Sequence, residues 1–343
     1  MFWPLAAYAA ITLVSTAFSV DPDTSIRDDK QLLLFAIVPI AYRLFRGERA
    51  LTAVDVIITV GAISAAIGIV QFGILKYGDA GLRPSGVLSM YMTYSGLLML
   101  IACVAAARAM FDHRDRTWSL IVLPALLAAL AMTLTRNAWI GACAGIGVLL
   151  IIRRDFRLVA LGLVAAALLF AFGPKHITER LFSIFQLNAT QGQTATQTAS
   201  LESNRDRIAM LKAGVRIVKD RPLTGVGPDM VIQVYPVYRD ETAVNQLASH
   251  LHNVPMQIAA ERGLPALAIW LWFVVSLVRD FLRQRKDPRG SFLPHAALAC
   301  VIAMLAAGLF EYNFGDSEFL MLFLVLMTLP YAALRPAPGE VQA

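Results

Sequence analysis

At 343 residues, with 57% hydrophobic and 16% charged side chains and a mean hydropathy of +0.61, the chain lies far from a soluble domain, in which roughly a quarter of residues are charged. Its net charge of +6 is, in so apolar a chain, first a topological signal and only then a hint of anionic ligands; nucleic acid is not implied. Cys103, Cys143 and Cys300 each sit inside an apolar run without CxxC spacing, which argues against a metal cluster or a disulfide framework and leaves them as small packing residues.

Apolar runs at 3–20, 31–45, 51–75, 90–110, 118–135, 137–152, 157–172, 263–279, 292–310 and 318–335 give ten candidate spans. Only helices satisfy their own backbone in lipid without distant partners, so the sequence predicts an all-α polytopic integral membrane bundle. The second, sixth and seventh runs are short for this role and are expected to be tilted, broken or paired in one hairpin. The first lacks a basic leader and an A-x-A site, which fits a retained span rather than a signal peptide.

Alternate connectors, at 43–50, 108–116, 153–157 and 279–289, hold fourteen Arg and Lys residues, whereas the opposite short connectors hold Arg27, Lys30, Lys76, Arg83 and Arg136. The positive-inside rule puts the first set and both termini in the cytoplasm. Segment 1–172 is then an N-terminal bundle of about seven helices, 173–262 one long outward loop, and 263–343 the C-terminal helices with a short cytoplasmic tail.

The outward loop opens with LNATQGQTATQTAS at 187–200, uncharged and Gln/Thr-rich, which predicts a mobile stretch. Ser203 or Asn204 is placed to cap a helix whose apolar positions Ile208, Leu211, Val215 and Val218 keep helical spacing until Pro222. Gly225-Val226-Gly227-Pro228 is a turn. A second short helix is expected from Asn253, with Pro255 in its first turn, to a stop at Gly263.

His252, just before that helix, is a candidate base, because a free imidazole titrates near neutrality and can take a proton from a hydroxyl. The alternative is a loop histidine bonded to a carbonyl or capping group, and His250 carries that reading. Arg136 interrupts an apolar stretch on the outward side, where an arginine serves function, pairs internally or snorkels to headgroups. Arg205 and Arg207 offer planar forks for phosphate oxygens, or simply a solvated basic face, and Arg83 in LRPSG is a weaker outward candidate. Glu311, Asp316 and Glu318 in FEYNFGDSEF could bind a sugar hydroxyl or pair with an arginine, but are expected to solvate a turn.

PLTGVGPDM, then SHLHN, nine residues and GLPA, preceded by SNRDRIAMLKAGVRIVKDR and TRNAWIG, resembles the O-antigen ligase and polymerase superfamily, whose outward loop carries a His-Asn pair followed after nine residues by glycine. Ala266 stands where the family pattern has a second glycine or other small residue. The resemblance implies a GT-C-like bundle and an inverting glycosyltransferase that uses no cofactor, metal or nucleotide. It further implies a glycan donor on undecaprenyl pyrophosphate and placement in a bacterial inner membrane, with the long loop periplasmic. On this reading His252 is the catalytic base and Arg136, Arg205 and Arg207 hold pyrophosphate, with Asn253, His250, Arg83, Gly225, Gly227 and Gly263 in support. The acceptor is lipid A–core oligosaccharide for a ligase, another lipid-linked repeat for a polymerase, or a protein hydroxyl for an oligosaccharyltransferase. A polysaccharide transporter or flippase is the competing class, and it would show ionisable or broken-helix features within the membrane.

Overall fold

The computed structural model describes residues 1–77, 82–112, 115–155, 195–286 and 291–336. Among them the regular structure is entirely helical: α1 (Phe2–Ala17), α2 (Pro22–Asp28), α3 (Ile37–Leu44), α4 (Arg49–Gly73), α5 (Tyr91–Phe111), α6 (Thr117–Met132), α7 (Arg136–Arg153), α8 (Ala195–Asp220), α9 (Val231–Tyr238), α10 (Val254–Gln284), α11 (Leu293–Gly308) and α12 (Ser317–Ala333), with a 3₁₀ segment Asp29–Ala36 between α2 and α3. Helices α4, α5, α7 and α10 are long and apolar enough to cross a membrane; α1, α6, α11 and α12 are shorter apolar helices. The expected span at 31–45 is divided between the 3₁₀ segment and α3, and the expected span at 157–172 falls outside the described residues.

The chain divides into two compact units. One is built from Met1–Ile37, Ser183–Leu277 and Gly308–Leu320, the other from Val38–Phe182, Val278–Ala307 and Met321–Ala343. In the second unit α5 packs against α4, α6 and α7. Its run Leu98–Ala107 is buried on every side, as befits a helix apolar all round. Gly141 and Gly145, one turn apart on α7, let its backbone approach Met99 and Cys103 of α5 and the Ala299 and Ala303 carbonyls of α11, a small-xxx-small contact that packs helices closely where burial drives little association. At its far end Arg108 of α5, 3% exposed, pairs with Asp55, Asp112 and Asp115.

In the first unit α8 begins at Ala195, so residues 195–200, expected to be mobile, are helical, and Ser203 and Asn204 lie inside the helix rather than capping it. The buried stripe of α8 is Met210, Ala213 and Ile217, packed with Tyr235 of α9 and Leu251, while Ile208 and Val215 are exposed. Side-chain size decided against the predicted face: Gly214 is so close to Leu251 and Met256 that a Cβ there would collide with both. The connector after α9 is tied to α8 at two points. Buried Asp206 accepts the Val244 and Asn245 N–H groups at 2.7 and 3.0 Å. Asp240 meets Lys212 at 3.4 Å and Arg216 at 3.2 Å, so part of the expected solvated basic face is structural.

Candidate functional site

Helix α10 is two helices joined at a break. Gly263 has φ 80 and ψ 170, a non-helical conformation that glycine tolerates and other residues do not. A break leaves carbonyls and N–H groups without intrahelical partners, and the Gly225–Pro228 turn supplies them. Val226 N–H donates to the Ala260 carbonyl and Gly227 N–H to that of Glu261, both at 2.9 Å, while Leu264 N–H donates to the Pro222 carbonyl at 2.8 Å. Ser15 of α1 places its hydroxyl 2.7 Å from the Thr224 carbonyl and 2.9 Å from that of Glu261. Gly225 (φ 68) and Gly227 (φ 107) leave no room for a Cβ against Glu261 and Ser19 respectively. The glycine turn is therefore the cap of a broken helix.

The first half of α10 opens where the sequence predicts. The Asn253 side-chain carbonyl accepts Met256 N–H at 2.9 Å as an N-cap, and its amide donates to the Leu309 carbonyl at 3.0 Å. This fixes His252, whose φ of 49 is left-handed, an uncommon backbone for a histidine. The imidazole turns Nδ1 toward both oxygens of Glu311, each 3.0 Å away. His250 Nε2 reaches the same carboxylate at 2.9 Å, and its Nδ1 meets the Ser249 hydroxyl at 2.9 Å. Both nitrogens of His250 are thus engaged, whereas the contacts of His252 to Glu311 run through Nδ1.

Glu311 was expected to solvate a turn; instead it is 8% exposed and anchors both histidines. Burial alone would raise its pKa, but the hydrogen bonds and charges of His250 and His252 outweigh burial and hold it well below the usual carboxylate range. The Tyr312 N–H donates to the same carboxylate at 3.0 Å. His252 Nδ1, His250 Nε2 and the Glu311 oxygens lie within 4.8 Å of one another, so a divalent cation is the other species this trio could hold. Behind it runs a buried polar chain: Leu251 N–H donates to Gln257 at 2.7 Å, Gln257 to Glu261 at 2.8 Å, and Glu261 pairs with Arg262 at 2.6 Å. None of Gln257, Glu261 or Arg262 was singled out by pattern, although a charged Glu-Arg pair ahead of an apolar run was the available signal.

The candidate arginines belong to other elements. Arg205 is exposed and Arg207 half-buried on α8; two residues apart, they point to different faces of the helix. Arg136 is the first residue of α7, after a turn in which Leu134 is left-handed (φ 53), so its guanidinium adds to the positive end of the helix dipole at a place suited to anions. Arg83 stacks on Tyr91 at 4.6 Å, and its LRPSG loop is held by Gln71, which hydrogen-bonds Ser85 and Gly86 at 2.9 to 3.0 Å.

The long apolar helices mark a membrane protein. Residues 120–271 match the family model described as O-antigen ligase. The chain is 24% identical, over 96% of its length and 80% of the relative's, to a Rickettsia prowazekii (strain Madrid E) protein provisionally named a polysaccharide ligase. In both comparisons the chain is similar to proteins of the O-antigen ligase type.

Proposed function

We propose that the protein is a ligase-type glycosyltransferase acting at the periplasmic face of a bacterial inner membrane. It moves a glycan from undecaprenyl pyrophosphate to a hydroxyl of lipid A–core oligosaccharide. The observation that carries the reading is the Glu311–His252 pair. A carboxylate on Nδ1–H fixes the tautomer with its lone pair on Nε2 and stabilises the imidazolium that forms, the arrangement of an oriented general base. His252 Nε2 takes the proton of the acceptor hydroxyl. The acceptor oxygen bonds to the anomeric carbon from the face opposite the leaving group, and the bond from that carbon to the phosphate oxygen breaks. The electron pair leaves with undecaprenyl pyrophosphate, inverting the anomeric centre. Arg136, Arg205 and Arg207 are assigned to the diphosphate, where fixed cations stabilise charge that accumulates as the bond breaks. The long 173–262 segment is read as the catalytic loop between the two membrane-spanning parts.

The test is His252→Ala in a strain lacking its own copy. Loss of surface polysaccharide, with accumulated lipid-linked glycan and normal protein levels, is expected; retained polysaccharide removes His252 from the reaction. A chelator should leave the purified enzyme's rate unchanged, since no step needs a cation. One observation favours the transporter class, namely the break in α10 beside buried Glu261 and Arg262, because interrupted helices line transport sites. Under that reading the His252 variant still delivers glycan and accumulates none.

A further inference from the structure

The Glu311 carboxylate gathers more donors on one oxygen than that oxygen readily accepts. His250 Nε2 at 2.9 Å, His252 Nδ1 at 3.0 Å and the Tyr312 N–H at 3.0 Å converge on Oε1, although a carboxylate oxygen offers about two lone-pair directions. The cluster is held from several sides. Left-handed His252 sits ahead of the Asn253 cap, and the Asn253 amide ties that turn at 3.0 Å to the Leu309 carbonyl, two residues before Glu311. The two imidazole rings lie 4.3 Å apart, centre to centre. Both stay part-exposed while the carboxylate is nearly covered, so a small ion can reach the nitrogens from solvent.

Two imidazoles and one carboxylate form a donor set that suits zinc; magnesium instead takes oxygen ligands in an octahedron. Three protein ligands and a water complete four-coordination. Ligand atoms of a tetrahedral zinc stand roughly 3.2–3.6 Å apart. Here they lie within 4.8 Å of one another, a difference that rotation of two part-exposed rings covers. An outer shell is in place as well. A ligating histidine donates its other N–H to an acceptor, and His250 Nδ1 faces the Ser249 hydroxyl at 2.9 Å. That hydroxyl donates while Nε2 carries the proton and accepts once a metal takes Nε2. The Tyr312 N–H remains to orient the carboxylate.

We infer that His250, His252 and Glu311 form an inhibitory zinc site: Zn²⁺ bound by His250 Nε2, His252 Nδ1 and the Glu311 carboxylate switches transfer off by disabling the base. In the transfer reading, on which this inference rests, His252 carries its proton on Nδ1 and its lone pair on Nε2. Zinc needs the Nδ1 lone pair, so that proton passes through solvent to Nε2. The same exchange moves the His250 proton from Nε2 to Nδ1, and two neutral rings bind the ion with no net release of protons. His252 Nε2 then presents an N–H to the acceptor hydroxyl and cannot take its proton. The carboxylate that would stabilise the imidazolium is spent on the ion. Zinc is therefore a competitor for the imidazole and not a cofactor of the reaction.

The experiment uses the full-length protein in detergent, freed of metal by chelation, with a lipid-linked glycan donor and core oligosaccharide as acceptor. Zn²⁺ is expected to bind at one equivalent by calorimetry and to suppress transfer in parallel. Chelation then restores the rate, and Mg²⁺ at the same concentration leaves it unchanged. His250→Ala is expected to weaken zinc about a hundredfold or more and Ser249→Ala about tenfold, since loss of an outer-shell partner alone costs roughly 10–100-fold in metal affinity. Should His250→Ala fold poorly, Ser249→Ala gives the same reading from the outer shell. Transfer without zinc binding, or zinc binding of equal strength in both folded variants, overturns the site and leaves the transferase standing. Bound zinc that leaves the rate unchanged or raises it overturns the inhibition. Zinc binding that is lost in His250→Ala, in a protein that transfers nothing even when metal-free, keeps the metal site and removes the transferase reading.

Discussion

The two units solve the burial of polar groups in opposite ways. In the second, Arg108 is the buried charged residue among those described, while α7 meets α5 through Gly141 and Gly145 against Met99 and Cys103. In the first, Asp206, Glu261, Arg262 and Glu311 are all buried, Asp206 bonded to the connector at Val244 and Asn245 and Glu261 and Arg262 in the helix that interrupts itself at Gly263. The second unit holds its ionic network at the end of a helix, where it costs least. The first holds charge and irregular backbone where protein groups must satisfy both, and the residues that could perform chemistry are found there.

The contrast is tested most severely from its quiet side. Arg108→Ala removes the cation shared by Asp55, Asp112 and Asp115, and breaking one member of a buried ionic network costs about 3 kcal/mol or more. Thermal unfolding in detergent should fall markedly, while the transfer rate per folded molecule stays at the wild-type value; a fall in that rate would tie the second unit to the chemistry. Next comes Gly263→Ala. The left-handed backbone and the collision with the Leu223 carbonyl together predict a loss on the order of 3 kcal/mol in stability, with activity falling too because the cap of the first half of α10 is lost.

Glu311→Gln keeps shape and removes charge. It is expected to lower kcat per folded molecule about a hundredfold with little change in acceptor KM, alongside some loss of stability because the carboxylate's pairing with both histidines goes, and Glu311→Asp should restore part of the rate. A purely structural Glu311 would lower the melting temperature alone and leave kcat per folded molecule intact. The pH behaviour follows from the sign of the shift. Because the folded carboxyl lies below its unfolded value, its stabilising contribution is fully present above the ordinary carboxylate pKa and is lost as pH falls through the lowered one. Glu311 therefore stays ionised across the mildly acidic range, and an acid limb in the rate there is not its titration.

What the sequence disclosed and what it hid divide along the same line. Asn253 as a cap and Gly263 as a break are local chemistry, a side chain answering the next turn and a φ that only glycine accepts, and both were legible. The role of the Gly225–Pro228 turn as the partner of that break was not, since it depends on hydrogen bonds to Ala260 and Glu261. Glu311 was misread for the same reason: it meets His252 across 59 positions, and nothing in FEYNF distinguishes a buried carboxylate from a solvated one. The face of α8 was misjudged because hydrophobic periodicity counts Ile208 and Val215, whereas Gly214 sets how near Leu251 and Met256 can come. The unit rich in buried charge is the one that pattern alone described least well.

The mildest expectation sharpens the comparison from the other end. Gly147 lies on α7, two residues beyond Gly145, yet a Cβ added there meets nothing within 4 Å. Alanine at such a position removes the backbone freedom of glycine without a collision, so Gly147→Ala should leave stability unchanged or raise it by about 0.5–1 kcal/mol. Gly145→Ala should lower it, because its Cβ would press on Cys103 and on the Ala299 carbonyl. Unfolding of the two variants, measured side by side, separates glycines kept for close helix contact from those that merely tolerate replacement. Equal losses would mean that α7 is not held by the Gly141–Gly145 face and that the second unit's tight packing has another origin.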